Sequence, residues 1–149
     1  MTTPPESKTR THLADLPRAY LWIWGPMLVV LGAGSLIVNP DFGVGDEVTA
    51  KHLFGVFETN GWHGLAGGSA GLASVVSAWT GRWVREVALG VAVLGGLIPA
   101  VIFLIAGDGA AALDLIPVDT ADAITLHLVP GVVGVACVYI VLIRRKDFH

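Results

Sequence analysis

Four apolar stretches, each about as long as a membrane-spanning helix, constrain this chain more than any other feature. They cover residues 20–38, about 60–80, 87–106 and about 123–143. A helix needs roughly 20 apolar residues to cross the ~30 Å hydrocarbon core of a bilayer. Helices also satisfy their own backbone hydrogen bonds, which lipid cannot do. The sequence therefore predicts an all-α membrane protein, built as a four-transmembrane-helix bundle.

The composition supports this reading and limits what else the chain contains. Hydrophobic residues make up 54% of the sequence and charged residues 14%, and the mean hydropathy is +0.70. Soluble domains usually carry about 25% charged residues. We expect one domain at 18–146, preceded by a polar, disordered tail at 1–17. The spans leave no room for a soluble catalytic domain, so we expect no enzyme, and nothing indicates a nucleic-acid partner.

The positions of the basic residues predict the direction of the spans. Basic residues close to span ends are retained on the cytoplasmic side of a membrane. With both termini in the cytoplasm, eight of the nine Lys and Arg residues are cytoplasmic, and only Lys51 is outside. The eight are Lys8, Arg10, Arg18, Arg82, Arg85, Arg144, Arg145 and Lys146. Residues 48–57 fit either an outer interfacial helix, with Asn60 as the N-cap of the next span, or an early extension of that span.

Two histidines inside the spans are the candidate functional residues. An acid-x4-His-x3-Gly pattern recurs after 64 positions, as Glu58, His63 and Gly67 and as Asp122, His127 and Gly131. His63 precedes Trp79 by the same number of residues as His127 precedes Ile143, which places both imidazoles roughly 24 Å from the inner interface. With Asn60, these histidines and acids form a possible polar cluster.

Small residues in the second and fourth spans predict close packing of helices. Two overlapping G-x-x-x-G spacings occur in the second span, and small residues four positions apart let helix backbones approach. The glycines expected to pack in this way are Gly64, Gly67, Gly68, Gly71 and Gly131. The packing partner is either another helix of the same chain or a second copy in a homo-oligomer.

These motifs resemble a bacterial membrane-protein family described as domain of unknown function 4383. The fitting residues are Asn60, His63, Thr120, Ala121, Asp122, His127 and Gly131. The sequence departs from the family pattern at Gly67, where the family has a second histidine, and at Asp119, where it has asparagine. The resemblance covers about residues 20–143 and implies four helices in a bacterial plasma membrane. It implies no known activity.

The residues leave three functions open. The chain is a structural or accessory bundle that associates with itself or with a larger membrane complex, and its histidines hydrogen-bond across the bundle. Alternatively, His63 and His127 are the axial ligands of haem b in a redox bundle. The third reading is a small transporter or proton relay, because ionisable residues in a membrane often mark a pathway. We expect no bound metal ion, and a metal ion held by His63 and His127 is the weaker alternative.

Overall fold

The computed structural model describes residues 15–107, 111–117 and 119–146, which are mostly helical. Four long helices in this part of the chain overlap the four predicted segments. Helix α1 is Leu16–Val38 and α2 is Gly61–Thr80. Helix α3 comprises Val84–Ala92, Val93–Leu97 and Ile98–Ala106. Helix α4 comprises Thr120–Asp122, Ala123–Leu128 and Val129–Lys146.

Three of these helices are long and apolar enough, by length and composition, to cross a membrane. They are α1, α3 through Ala106 and α4 through Ile143. Helix α2 has 20 residues, but its many glycines and serines lower its mean hydropathy. The structure therefore indicates a multi-pass membrane protein.

Prolines account for the irregular middle turns of α3 and α4. Both helices contain a π-helical segment, Val93–Leu97 and Ala123–Leu128, and each segment ends just before a proline. Pro99 and Pro130 have no N–H and would clash with the carbonyl four residues earlier in a regular α-helix. Widening the preceding turn relieves this clash, and π turns of this kind frequently occur at functional sites.

Residues 48–57 correct both sequence interpretations of this segment, because they form neither an interfacial helix nor an extension of α2. Strand β1 (Lys51–Leu53) pairs antiparallel with β2 (Phe57–Thr59). The chain reverses at Phe54 and Gly55, which both have positive φ, and Val56 N donates to the Leu53 carbonyl at 3.2 Å. Leu53 is paired with Phe57, so three residues connect the strands, and the first two of them have the positive φ that reverses the chain tightly.

A second hairpin precedes α4 in the same manner. Strands β3 (Ala111–Ala112) and β4 (Ile116–Pro117) pair antiparallel. Their turn also has positive φ at both central residues, Leu113 and Asp114. Each hairpin is followed by a side-chain N-cap, Asn60 before α2 and Asp119 before α4. The chain thus contains two helix–hairpin–helix units, and their hairpins and caps align at a shift of 59 positions rather than the 64 that aligns the histidines.

The helices pack as two close pairs, α1 with α2 and α3 with α4. Glycines make these approaches possible. A Cβ on Gly32 of α1 would lie 2.4 Å from the backbone nitrogen of Gly68. A Cβ on Gly96 of α3 would lie 2.6 Å from the Cα atom of Gly131. Backbones this close gain van der Waals contact that larger residues would prevent.

Two buried clusters lie at opposite ends of the bundle. Tyr20, Leu21, Ala78, Ala88, Ala92 and Val138 form one near the start of α1. Phe103, Ala112 and Ala123 form the other, where the second hairpin packs on α3 and α4. Arg18 closes the first end, because its Nε donates to the Ala78 carbonyl at 2.7 Å, in the last turn of α2.

The amino-terminal boundary of the helical region differs from the expected one. Most of the tail predicted at 1–17 lies outside the described residues. Helix α1, however, begins at Leu16, and Pro17 occupies its first turn. Proline is well tolerated there, since the first N–H groups of a helix have no intrahelical partner.

Candidate functional site

An apolar cavity of about 460 Å³ lies between the two helix pairs. All four helices and the second hairpin line it. Tyr20 and Trp24 are at one end, while His63, Phe103 and His127 are near the other. Pockets of 300–1,000 Å³ with mostly apolar linings and a few polar groups are typical of small-molecule sites. The cavity is therefore the candidate functional site.

His63 and His127 meet at this site although they belong to different helix pairs. Their ring centroids are 5.7 Å apart and their planes differ by 21°. The ring of Phe103 packs edge-on against both, with centroids 5.0 Å from His127 and 6.5 Å from His63. The three rings together form what we call the histidine end of the cavity.

The backbone of α3 orients His127. In a regular α-helix the Gly95 carbonyl would accept from residue 99, which is a proline without an N–H. His127 supplies the missing donor, since its Nδ1 donates to the Gly95 carbonyl at 2.8 Å. Neighbouring helices commonly satisfy carbonyls freed by proline in membrane helices. In the neutral ring, this bond makes Nε2 the acceptor nitrogen.

His63 is held by the backbone at Glu58, which forms a hydrogen bond with its ring. The N–H of Glu58 already donates to Asp122 Oδ2 at 2.9 Å. The carbonyl of Glu58 is therefore the group that the imidazole meets, and the ring acts as donor. The Nδ1 atom of His63 and the Nε2 atom of His127 are both buried and have no hydrogen-bond partner. Two acceptor nitrogens at the histidine end are left unsatisfied.

Asn60 connects the first hairpin, α2 and the second hairpin. Its side-chain oxygen accepts from the His63 backbone N–H at 3.0 Å, and its nitrogen donates to the Leu115 carbonyl at 2.6 Å. The side chain is fully buried. Asn60 is thus the N-cap of α2 and fixes the helix turn from which His63 projects.

The two acids of the predicted cluster contribute differently from the histidines. The Asp122 carboxylate bonds to the Glu58 backbone, as described above, and the Glu58 carboxylate lies 3.8 Å from Nε2 of His52. Glu58 and Asp122, matched in the sequence repeat, are hydrogen-bonded neighbours in space. Within the described ranges, no group of three or more His, Cys, Asp or Glu side chains is arranged to hold a metal ion.

The five glycines predicted to pack are divided between two roles. Gly64, Gly68 and Gly71 face α1, and Gly131 faces α3. A Cβ on Gly67 would meet nothing within 4 Å, and this residue lines the cavity. In the family pattern described above, the position of Gly67 is a second histidine. This chain therefore has open space where that pattern has an imidazole ring.

Several residues of the site were not found from the sequence. Phe103 is buried at the site, with 3% of its surface exposed, but in the sequence nothing distinguishes it from the other apolar residues of the third span. Asn39, at the end of α1, is another residue that was not found: its Nδ2 donates to the carbonyls of Thr49 and Thr59 and holds the first hairpin over α1. Pro99 could have indicated the contact with His127, because the carbonyl four residues before a proline lacks its donor within the helix and needs one from elsewhere.

The fold and the site define a class: a helical multi-pass membrane protein with a histidine-lined apolar cavity. The profile of the family described as domain of unknown function (DUF4383) matches residues 18–140. The chain belongs to this family, which indicates no specific activity. A search of curated proteins found no match. A search of solved structures also found none.

Proposed function

We propose that the protein crosses a bacterial plasma membrane four times, with both termini in the cytoplasm, and binds a lipid-soluble small molecule in its cavity. The excess of basic residues on one side of the spans supports the direction. The close packing of α2 along α1 supports a fourth span, because Gly64, Gly68 and Gly71 place α2 against an apolar helix over several turns.

One observation carries the ligand-binding function: two unpartnered imidazole nitrogens at the end of a 460 Å³ apolar cavity. A buried acceptor without a partner costs about 1–3 kcal/mol. A purely structural histidine pair would be expected to satisfy its nitrogens within the bundle. Elsewhere the cavity lining is almost entirely apolar, which favours a hydrophobic guest over an ion or a water-soluble solute.

Filling the cavity tests this function. The variant Gly67→Leu places a side chain in open space within the cavity, whereas Ser69→Leu adds the same side chain at an exposed position of the same helix. Both proteins are reconstituted in lipid nanodiscs, and binding of the aromatic probe 2-naphthol is measured by equilibrium dialysis against empty nanodiscs. We expect saturable binding by the original protein and by Ser69→Leu, and its loss in Gly67→Leu. Binding no greater than that of empty nanodiscs would refute the proposal.

A second measurement identifies the natural occupant. Organic extracts of the purified original protein and of Gly67→Leu are compared by mass spectrometry. The occupant is a compound present with the original protein and depleted from the variant. Lipids that only surround the protein are equally abundant in both extracts.

Haem binding is a second candidate function, favoured by the same two nitrogens on separate helices. Axial histidines and an apolar surrounding are what a protein supplies to a haem b site. Expression with added haem followed by a visible spectrum decides it. A Soret band that disappears in the double variant His63→Gln/His127→Gln supports haem, and a spectrum without that band rejects it.

A further inference from the structure

The polar groups at the histidine end accept hydrogen bonds and do not offer them to the cavity. The His127 Nδ1 proton is used by the Gly95 carbonyl, and the His63 ring donates to the backbone at Glu58. In neutral rings this leaves lone pairs at His63 Nδ1 and His127 Nε2. The matching ligand group is an O–H or N–H donor.

The hydrogen-bond donors elsewhere in the cavity are too far away to change this preference. Gly64 packs against Ser35, which sets the level of His63 along α1. Tyr20 and Trp24 lie on the same helix as Ser35 and precede it by fifteen and eleven residues. At 1.5 Å per residue, these side chains start about 22 Å and about 16 Å from the histidine end. A single compact head group cannot contact both ends.

The same end suits a flat aromatic head. His63, His127 and Phe103 present three ring surfaces in stacked and edge-on arrangements. Aromatic rings in such arrangements attract one another beyond the effect of simple burial. The remaining length of the cavity, towards Trp24 and Tyr20, is lined by apolar side chains of all four helices. That space suits a hydrocarbon tail.

Resting on the proposed ligand-binding function, we infer that the ligand is a phenol- or quinol-type lipid whose hydroxyl group donates to His63 or His127. The protein consequently distinguishes the reduced quinol from the oxidised quinone, because the quinone has only carbonyl acceptors to present to nitrogen lone pairs. Both nitrogens are buried in this structure, so binding requires a side-chain movement that exposes at least one of them to the cavity.

Two matched pairs of probes test this inference on the full-length protein in nanodiscs. The first pair is 2-naphthol and 2-methoxynaphthalene, which differ in the donor. The second is duroquinol, kept reduced under nitrogen, and duroquinone. A single hydrogen bond of ordinary strength predicts about fivefold tighter binding of the donor in each pair. Empty nanodiscs correct for partition into lipid.

Histidine variants locate the effect. His127→Phe and His63→Phe keep an aromatic ring and remove the acceptor nitrogen, and the control His52→Phe changes a half-exposed histidine on the first hairpin. We expect the preference for the donor to fall in at least one cavity variant and to persist in the control. If the cavity variants fail to fold, the probe pairs on the original protein still decide.

The possible outcomes separate this inference from the function on which it rests. Equal binding of donor and acceptor probes by the original protein, with loss in Gly67→Leu, overturns the donor preference and leaves the binding function intact. Absence of saturable binding for all four probes overturns both. A donor preference unchanged in both cavity variants assigns the hydroxyl to another group and also contradicts the inference.

Discussion

The carboxylate of Asp122, which is 3% exposed, accepts a 2.9 Å hydrogen bond from the backbone N–H of Glu58. This contact joins the first turn of α4 to the strand that leads into α2. Because the carbonyl of Glu58 in turn meets the His63 ring, Asp122 of one helix pair helps to position the histidine of the other. A chain of contacts that crosses between the two helix pairs therefore supports the histidine end of the cavity.

Removing this acceptor should destabilise the protein. Asp122→Ala leaves the Glu58 N–H without its partner, and a buried unsatisfied group costs about 1–3 kcal/mol. Asp122→Asn retains a side-chain oxygen and should lose less. The unfolding temperature in mild detergent measures both, with Asp46→Ala, an exposed acid in the loop between α1 and β1, as the control. Equal stability of Asp122→Ala and the control would show that the contact is unimportant.

A Cβ at Gly32 should disrupt the α1–α2 pair. It would lie 2.4 Å from Gly68 N and 2.8 Å from the Gly64 carbonyl, and backbone atoms cannot move aside as flexible side chains do. Gly32→Ala should therefore lower the free energy of unfolding by about 1–3 kcal/mol, the usual cost of overpacking, and lower the unfolding temperature with it. Gly67→Ala, on the partner helix but facing open space, should have little effect. Similar stability for the two variants would contradict the observed helix approach.

The positions of the helices could be predicted because lipid imposes one simple rule. A helix that crosses a membrane needs a long apolar segment, and the four segments are visible in composition alone. The caps were also accessible, since Asn60 and Asp119 have side chains that accept from helix N–H groups. Equal depth of His63 and His127 followed from counting residues along regular helices.

The hairpins could not be predicted in the same way. Their turns place Phe54, Leu113 and Asp114 at positive φ, where glycine or asparagine would have been the usual signal. Their strands have only two or three residues, too few for a period of two to be recognised. The cavity was equally hidden, because it depends on how the two helix pairs are spaced, and no local pattern records a spacing between helices that are distant in sequence.

Acid should weaken the loop between α1 and the first hairpin. The Thr49 hydroxyl donates to the Asp41 carboxylate and, with a smaller contribution from the backbone N–H of Gly43, lowers the pKa of Asp41 below its ordinary value. Because the folded pKa is the lower one, the stabilisation is present above the unfolded pKa of about 3.9 and is lost as pH falls through the folded value.

Thermal unfolding between pH 6 and pH 2 should therefore show a steeper acid loss for the original protein than for Asp41→Asn. Thr49→Val removes the largest cause of the shift and should resemble Asp41→Asn. Parallel curves for all three proteins would mean that Asp41 has the same pKa in the folded and unfolded chains.

The two sides of α2 provide the sharpest test of the proposed topology, because α2 is the helix whose composition is least apolar. Val56 is exposed on the first hairpin and Arg82 is exposed just beyond α2. In a Cys137→Ala background, Val56→Cys should react with a membrane-impermeant maleimide in intact spheroplasts, and Arg82→Cys only after permeabilisation. The opposite pattern would reverse the orientation, whereas labelling of both residues without permeabilisation would show that α2 does not cross. The backbones of α1 and α2 pack together through glycine contacts, and α2 could not keep these contacts if α1 crossed the membrane and α2 did not. The labelling experiment therefore also tests the helix packing on which the cavity depends.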